Sequence, residues 1–336
     1  MEEKRELLQV KFMDLIRRRT GPGSSLVYEL SDLLNISTDS VYRRLRGETN
    51  LSFEEIALLS KHYHISMDML NESAPGLVAF QYSMLDKPEN FRRHWTSMLN
   101  DLQSISASER KEILYAAIDI PIFHHFNYPS LMAFKMFYWQ REVINDPALK
   151  DHHFNEEMVD EAVKEIAADI YRAYASIPSS EIWTDGTANS TIKQIQFYHD
   201  SGRFANNGDA IRVIDQLLEE MNNLEKQVEV GFKHDLTGEQ PDIKGEYKFY
   251  VSDIEIGSNT VLTRRDQTDA IYMGFQTFNT IITTNGRFCA DTEIWLHNLI
   301  KKSTLVSGVS PTQRYQFFQS QRNKILKVKE RILQGD

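Results

Sequence analysis

Between residues 36 and 70 one short device occurs three times: an apolar residue, a serine, and a second apolar residue four positions past the serine. The trios are Ile36/Ser37/Val41, Leu51/Ser52/Ile56 and Ile65/Ser66/Leu70. A serine at a helix N-cap accepts a hydrogen bond from an orphan N–H of the first turn, and the flanking apolar pair fixes the angle at which the chain enters the helix. Ser52 also has Glu55 three residues on, which completes a capping box. Helices started this close together leave room only for sharp turns. Residues 1–71 are therefore restricted to a compact bundle of short helices.

The spacing predicts five of them. The first, over about 3–19, carries Leu8, Phe12 and Leu15 on one face and ends at Gly21-Pro22-Gly23. The second, about 25–34, repeats the pattern with Leu26, Leu30, Leu33 and Leu34. Asn35-Ile36-Ser37 separates it from the third, about 38–46, which Gly47 closes in a left-handed conformation. The fourth and fifth follow Ser52 and Ser66.

Beyond this head, Pro75-Gly76 and Lys87-Pro88 mark 72–90 as a linker. Residues 91–233 read as a helical domain. In it, 131–145 is crowded with Phe134, Phe137, Tyr138 and Trp139, which suit either a core or a ligand pocket. A second helix is expected over 157–176. The helix over 209–230 carries Ile214, Leu217, Met221, Leu224 and Val228 at spacings of 3, 4, 3 and 4, which suits a dimer seam or a contact inside the domain. After Lys233 the pattern changes. Tyr247–Ile256, Thr260–Arg264, Ile271–Phe275 and Asn279–Thr284 are rich in β-branched and aromatic residues and read as an antiparallel meander. Helices over 291–302 and 311–333 complete a small α+β module, 234–336, suited to sensing or dimerisation. The expected fold is thus mainly α.

Composition narrows the function classes. The 336 residues are 41% apolar and 26% charged, ordinary values for a globular protein. The net charge of −10 has the wrong sign for a generic polyanion binder, yet residues 1–71 hold ten Lys/Arg against eleven Asp/Glu, leaving −9 for the rest. The arginines of the head cluster as Arg17, Arg18, Arg19 and as Arg43, Arg44, Arg46. Local charge decides whether a face can meet phosphate. No apolar run of about 18 residues suggests a membrane span, and the charged start MEEKRELLQVKF lacks a signal core. One cysteine, Cys289, leaves no internal disulfide and no cysteine-based zinc site, so a cytoplasmic setting is expected.

The helix over 38–46 is the strongest chemical feature. Val41 and Leu45 face inward, joining Leu30 and Ile36 in the expected core. Thr38, Asp39, Tyr42, Arg43 and Arg46 share the other side. A hydroxyl, a carboxylate, an aromatic ring and two guanidiniums can read base edges and hold phosphates; an amphipathic helix with a solvated polar face has the same pattern. Arg17, Arg18 and Arg19 suit a backbone clamp, or simply a helix end where cations complement the dipole.

The ordering Leu30-Ser31, Asn35-Ile36-Ser37, Val41, Arg46-Gly47, Asn50-Leu51-Ser52 and Ile65-Ser66-Met67-Asp68 resembles the lambda-repressor-like (Xre-type) helix-turn-helix domain, over roughly residues 5–71. The run Tyr42-Arg43-Arg44-Leu45-Arg46-Gly47-Glu48 is similar to a variant of that domain in long regulators from Bacteroidetes, as are the run 303–308, Arg314 and Phe317-Phe318. The resemblance implies that Thr38, Asp39 and Tyr42, with Arg43 beside them, face bases, and that Arg46 meets phosphate. It also implies a departure: the family often opens its second helix with a bracing Gln, and Val27 stands there.

Enzymatic signals are weak. The sequence contains no P-loop, dinucleotide-binding, zinc-protease or nucleophile-elbow motif. His124-His125 and His152-His153 are adjacent pairs, and neighbours on a helix diverge by about 100°, so neither pair suits one metal. No catalytic residue, metal or cofactor is expected. The expected function is a bacterial, sequence-specific, double-stranded-DNA-binding transcription regulator, a homodimer, whose remaining residues serve dimerisation or recognition of a small-molecule or protein effector. The competing expectation is a helical protein-interaction scaffold whose head binds protein.

Overall fold

The computed structural model describes residues 8–20, 25–63, 65, 67, 77–82, 85, 87, 90–159, 161–234, 246–266, 268–276 and 279–334. The chain divides into two compact units, residues 1–79 with 285–287, and 80–284 with 288–336.

In the first unit four helices are described: α1 (Leu8–Arg19), α2 (Leu26–Leu34), α3 (Thr38–Leu45) and α4 (Phe53–His62). The fifth expected helix, and with it the Ser66 cap, lies outside the described residues, as does the expected Gly21-Pro22-Gly23 break. The local reasons for these helices are those written in the sequence. Ser37 Oγ accepts from the Ser40 N–H at 3.3 Å, and Ser52 and Glu55 form a reciprocal capping box. Asn35 takes a left-handed conformation (φ 52°) after α2, and Gly47 does so after α3 (φ 73°). At both ends the same crossed pair of backbone bonds forms: Ile36 N–H to Ser31 O and Asn35 N–H to Asp32 O, then Glu48 N–H to Arg43 O and Gly47 N–H to Arg44 O. These satisfy carbonyls that a helix end leaves orphaned. The core joins Phe12, Met13 and Ile16 of α1 to Leu30, Val41, Leu51, Leu59, Tyr63 and Ile65, with Ile36, Leu45, Leu33 and Val27 packed against them.

The second unit is built on one eight-stranded sheet. Its strands are β1 (Gln81–Tyr82), β2 (Lys111–Ala117), β3 (Ser179–Trp183), β4 (Tyr247–Val251), β5 (Thr260–Arg265), β6 (Thr268–Phe275), β7 (Asn279–Thr283) and β8 (Thr304–Leu305), in the order β1-β7-β6-β5-β2-β3-β4-β8. β2, β3 and β4 run parallel; the remaining pairings are antiparallel. The helices of this unit are α5 (Asn90–Ala107), α6 (Ile122–His125), α7 (Pro129–Tyr138), α8 (Glu161–Ala175), α9 (Asn189–Asp200), α10 (Asn207–Val230), α11 (Gly286–Lys301) and α12 (Pro311–Gln334).

The two-residue period of the strands sorts side chains into two cores. Ile113, Tyr115, Ala117, Trp183, Tyr247 and Phe249 face the larger one, which α5, α7, α8, α10 and α12 cover. Leu114, Ala116, Ile182, Leu262 and Ile271 face the smaller one, filled by Cys289, Leu296 and Leu299 of α11.

This corrects the expected organisation in three places. There is no boundary at 233/234: β2 and β3, inside the expected helical domain 91–233, lie in the middle of the sheet, between strands from the expected α+β module. The meander holds only for β5-β6-β7, because β4 pairs in parallel with β3 and β2 lies beside β5. Within the expected linker 72–90, Gln81–Tyr82 forms an edge strand on β7. Most described residues are nonetheless helical. The stripe Ile214, Leu217, Met221, Leu224 and Val228 is fully buried, with α10 packed on α12 and α7, so it is not a free dimer seam. Ser303–Gly308 and Arg314 serve a structural junction: Ser307 Oγ accepts from the Phe249 N–H at 3.1 Å, and the Arg314 guanidinium donates to the Val306 and Val309 carbonyls at 2.9 and 3.1 Å.

Candidate nucleic-acid interface

α3 owes its orientation to its neighbours on both sides. Val41 is fully buried and Leu45 packs on the same core, so the opposite side of the helix is left to solvent. Asp39, Tyr42 (49% exposed), Arg43 and Arg46 are all exposed there, while Thr38 at the first position is half-buried. The three-residue turn from α2, with Asn35 left-handed, sets the two helices in a fixed relation.

Two anchors that the sequence does not single out hold the far end of α3. Gln9 on α1 donates to the carbonyls of Arg44 (2.9 Å) and Thr49 (2.7 Å) and accepts from the Leu51 N–H (2.8 Å). One side chain thereby ties the end of α3 to the start of α4. Its partners lie 35 to 42 residues away in sequence, so no local pattern signals it. Val27 packs on the core of this unit. Arg44 is the second anchor. Its guanidinium meets Glu55, with Nη2 to Oε1 at 2.8 Å and Nε to Oε2 at 3.3 Å, while Glu55 Oε2 also accepts from the Ser52 N–H. Glu55 thus joins the capping box to α3, and Arg44 is removed from the set of outward arginines.

Of the outward group, Arg46 forms a two-pronged pair with Glu48 (2.6 and 3.0 Å), which lowers the carboxyl below its usual range. The pair is exposed, so solvent and salt screen it and phosphate can compete for the guanidinium. Arg17 pairs with Asp14 at 2.8 Å on the surface of α1. The side chains of Arg18 and Arg19 lie outside the described ones.

His124 and His125 on α6 point apart, as helix geometry requires. His124 Nε2 meets the Glu181 carboxylate at 2.9 and 3.1 Å, and His125 Nδ1 meets Glu220 at 2.9 and 3.0 Å. All four groups are buried. The two carboxyls differ in state. Glu181 also accepts from Tyr174 Oη and from Trp183 Nε1; its burial is outweighed by His124, the Tyr174 hydroxyl and the Lys233 ammonium, which hold it at about 2. Burial pushes Glu220 up to about 8 and His125 well down, so that pair shares one proton and carries no net charge. His152 and His153 are exposed. Among the described residues no group of three or more His, Cys, Asp or Glu is placed to hold a metal ion. Cys289 is buried, and burial pushes its thiol up to about 11, away from reactivity. No described helix is long and apolar enough to cross a membrane.

No family model, curated protein or solved structure matches this chain.

Proposed function

We propose that the chain is a sequence-specific, double-stranded-DNA-binding transcription regulator of the lambda-repressor-like (Xre-type) class, acting as a homodimer. The observation that carries the reading is α3. A short helix wedged by Val41 and Leu45, preceded by a three-residue turn and locked at its far end by Gln9 and the Arg44–Glu55 pair, leaves Asp39, Tyr42, Arg43 and Arg46 exposed together. A rigid helix with a mixed polar, aromatic and cationic face is what major-groove reading needs. Tyr42 and Arg43 read base edges, Asp39 accepts from a cytosine amino group or orients Arg43, and Arg46 exchanges Glu48 for a phosphate. Thr38, half-buried at the start of α3, contacts the edge of the groove.

A module this small makes few base contacts, so tight binding calls for two half-sites about 10 base pairs apart, read by two copies of the chain. The second unit then serves dimerisation or effector recognition.

Selection of bound duplexes from a random pool with the full-length protein tests the reading. The expected result is one enriched inverted repeat. A bound fraction with no sequence preference, or none bound, would instead favour a protein-interaction head.

A further inference from the structure

The second unit holds a partly open cavity of about 720 Å³ between α5, the sheet face formed by β2, β5, β6 and β7, and the segment that carries Lys135 and Trp139. That volume lies inside the range of about 300–1,000 Å³ usual for small-molecule sites. Its wall is largely apolar, with Trp95, Met98, Leu102, Ile113, Trp139 and Val261 prominent. Trp95 and Trp139 stack at 6.1 Å, and Trp139 opens a π-helical turn that continues α7.

Two polar groups in this wall lack what their burial demands. Lys135, 5% exposed, donates from Nζ to Gln194 Oε1 at 2.7 Å and to Thr191 Oγ1 at 3.2 Å, both neutral acceptors. An ammonium has three donors; beyond those two bonds it lies 5.8 Å from the centre of the Trp139 ring, and none of the ion pairs among the described residues involves it. Burial lowers it to about 8, against the opposing pull of the Asp119 carboxylate farther off. Glu220 is not its ion-pair partner, because both oxygens of that carboxyl are engaged by His125 Nδ1, at 2.9 and 3.0 Å. The second group is the indole N–H of Trp95, buried and without an acceptor. Leaving a cation and a donor unmatched in an apolar wall is costly, and an apolar residue at either position would fill the same space at lower cost.

We infer that this cavity binds an amphipathic organic monocarboxylate, with its carboxylate on the Lys135 ammonium and its apolar or aromatic body along Trp95, Met98, Leu102 and Trp139. One buried cation matches one negative charge. A more highly charged anion would meet the carboxylates of Asp101 and Asp119 in the same wall, where the other cation, Arg93, is exposed rather than set among apolar surface. A cationic ligand would have to sit beside Lys135. The inference deepens the effector-recognition part of the proposed function.

The test is calorimetric titration of the full-length protein, without DNA, with 2-naphthaleneacetate, 2-naphthaleneethanol and 2-naphthaleneethylamine, which share one body and differ in charge. The acid is expected to bind about tenfold or more tighter than the amine. Lys135→Met should weaken the acid by about tenfold while leaving the alcohol within about threefold, which also certifies the fold of the variant. Equal affinity for all three probes, no binding of any of them, or an unchanged acid affinity in Lys135→Met would overturn the inference. If Lys135→Met does not fold, the ranking of the three probes on the unsubstituted protein decides alone. Since DNA is absent, this outcome and that of the duplex selection are independent of each other.

Discussion

Replacing Gln9 by Ala tests how α3 is held. The substitution deletes three hydrogen bonds, to Arg44 O, Thr49 O and Leu51 N–H, all to backbone and all partly buried. A buried bond of this kind contributes about 1 kcal/mol net, and water can reach part of the vacated space, so the loss should be about 2 kcal/mol. The cost falls on the segment that closes α3, where the Arg46, Gly47 and Glu48 amides bond back to Tyr42, Arg44 and Arg43. Hydrogen–deuterium exchange of the full-length protein reads that segment directly: 2 kcal/mol of local destabilisation corresponds to about 30-fold faster exchange there. Peptides from α10 in the second unit should be unchanged. Acceleration of less than about threefold in the α3 segment, or equal acceleration throughout the chain, would refute the claim that Gln9 is the clamp.

Other outcomes follow from the same geometry. Arg46→Ala should weaken binding to every duplex and reduce the dependence of log affinity on log salt by about one phosphate contact, measured by anisotropy across a salt series. Gly47→Ala forces a Cβ into the left-handed region (φ 73°) and should destabilise the first unit by about 1 kcal/mol in urea unfolding. Glu220 stays protonated up to about 8 in the folded protein but ionises near 4.5 when unfolded, so it lowers stability progressively from about pH 4.5 to about pH 8. Glu220→Gln, which removes that titration, should therefore gain stability relative to the unsubstituted protein as pH rises across this window, measured by urea unfolding at pH 5 and pH 8.

Much of the first unit was written locally in the sequence. Ser37, Ser52 and Glu55 act within four residues of themselves, and Gly47 and Asn35 act through their own backbone, so boundaries of α2, α3 and α4 are legible. The clamp and the Arg44–Glu55 pair join segments far apart in the chain and leave no periodic trace. In the second unit the strands β5 to β7 show the composition of half-buried strands, and α10 and α12 the spacing of amphipathic helices. β3 does not. Its five residues, Ser179–Trp183, are buried on both faces and so lack alternation, and Glu181 at its centre resembles a surface residue. β2, Lys111–Ala117, is rich in residues that favour helices and follows directly on α5. Missing these two strands turned one sheet into an apparent boundary at 233. The cavity is less visible still, because Lys135 among Phe134, Phe137 and Trp139 reads as a single polar residue on a core helix.

The central claim is that the outward face of α3 reads base edges. Its most direct measurement is a pair of duplex selections, with the unsubstituted full-length protein and with Arg43→Ala. Both should yield the same spacing of half-sites, with preference relaxed at one or two positions in each half-site for the variant, at a cost of about 1–3 kcal/mol per lost base contact. An identical motif from both proteins at equal affinity would contradict it.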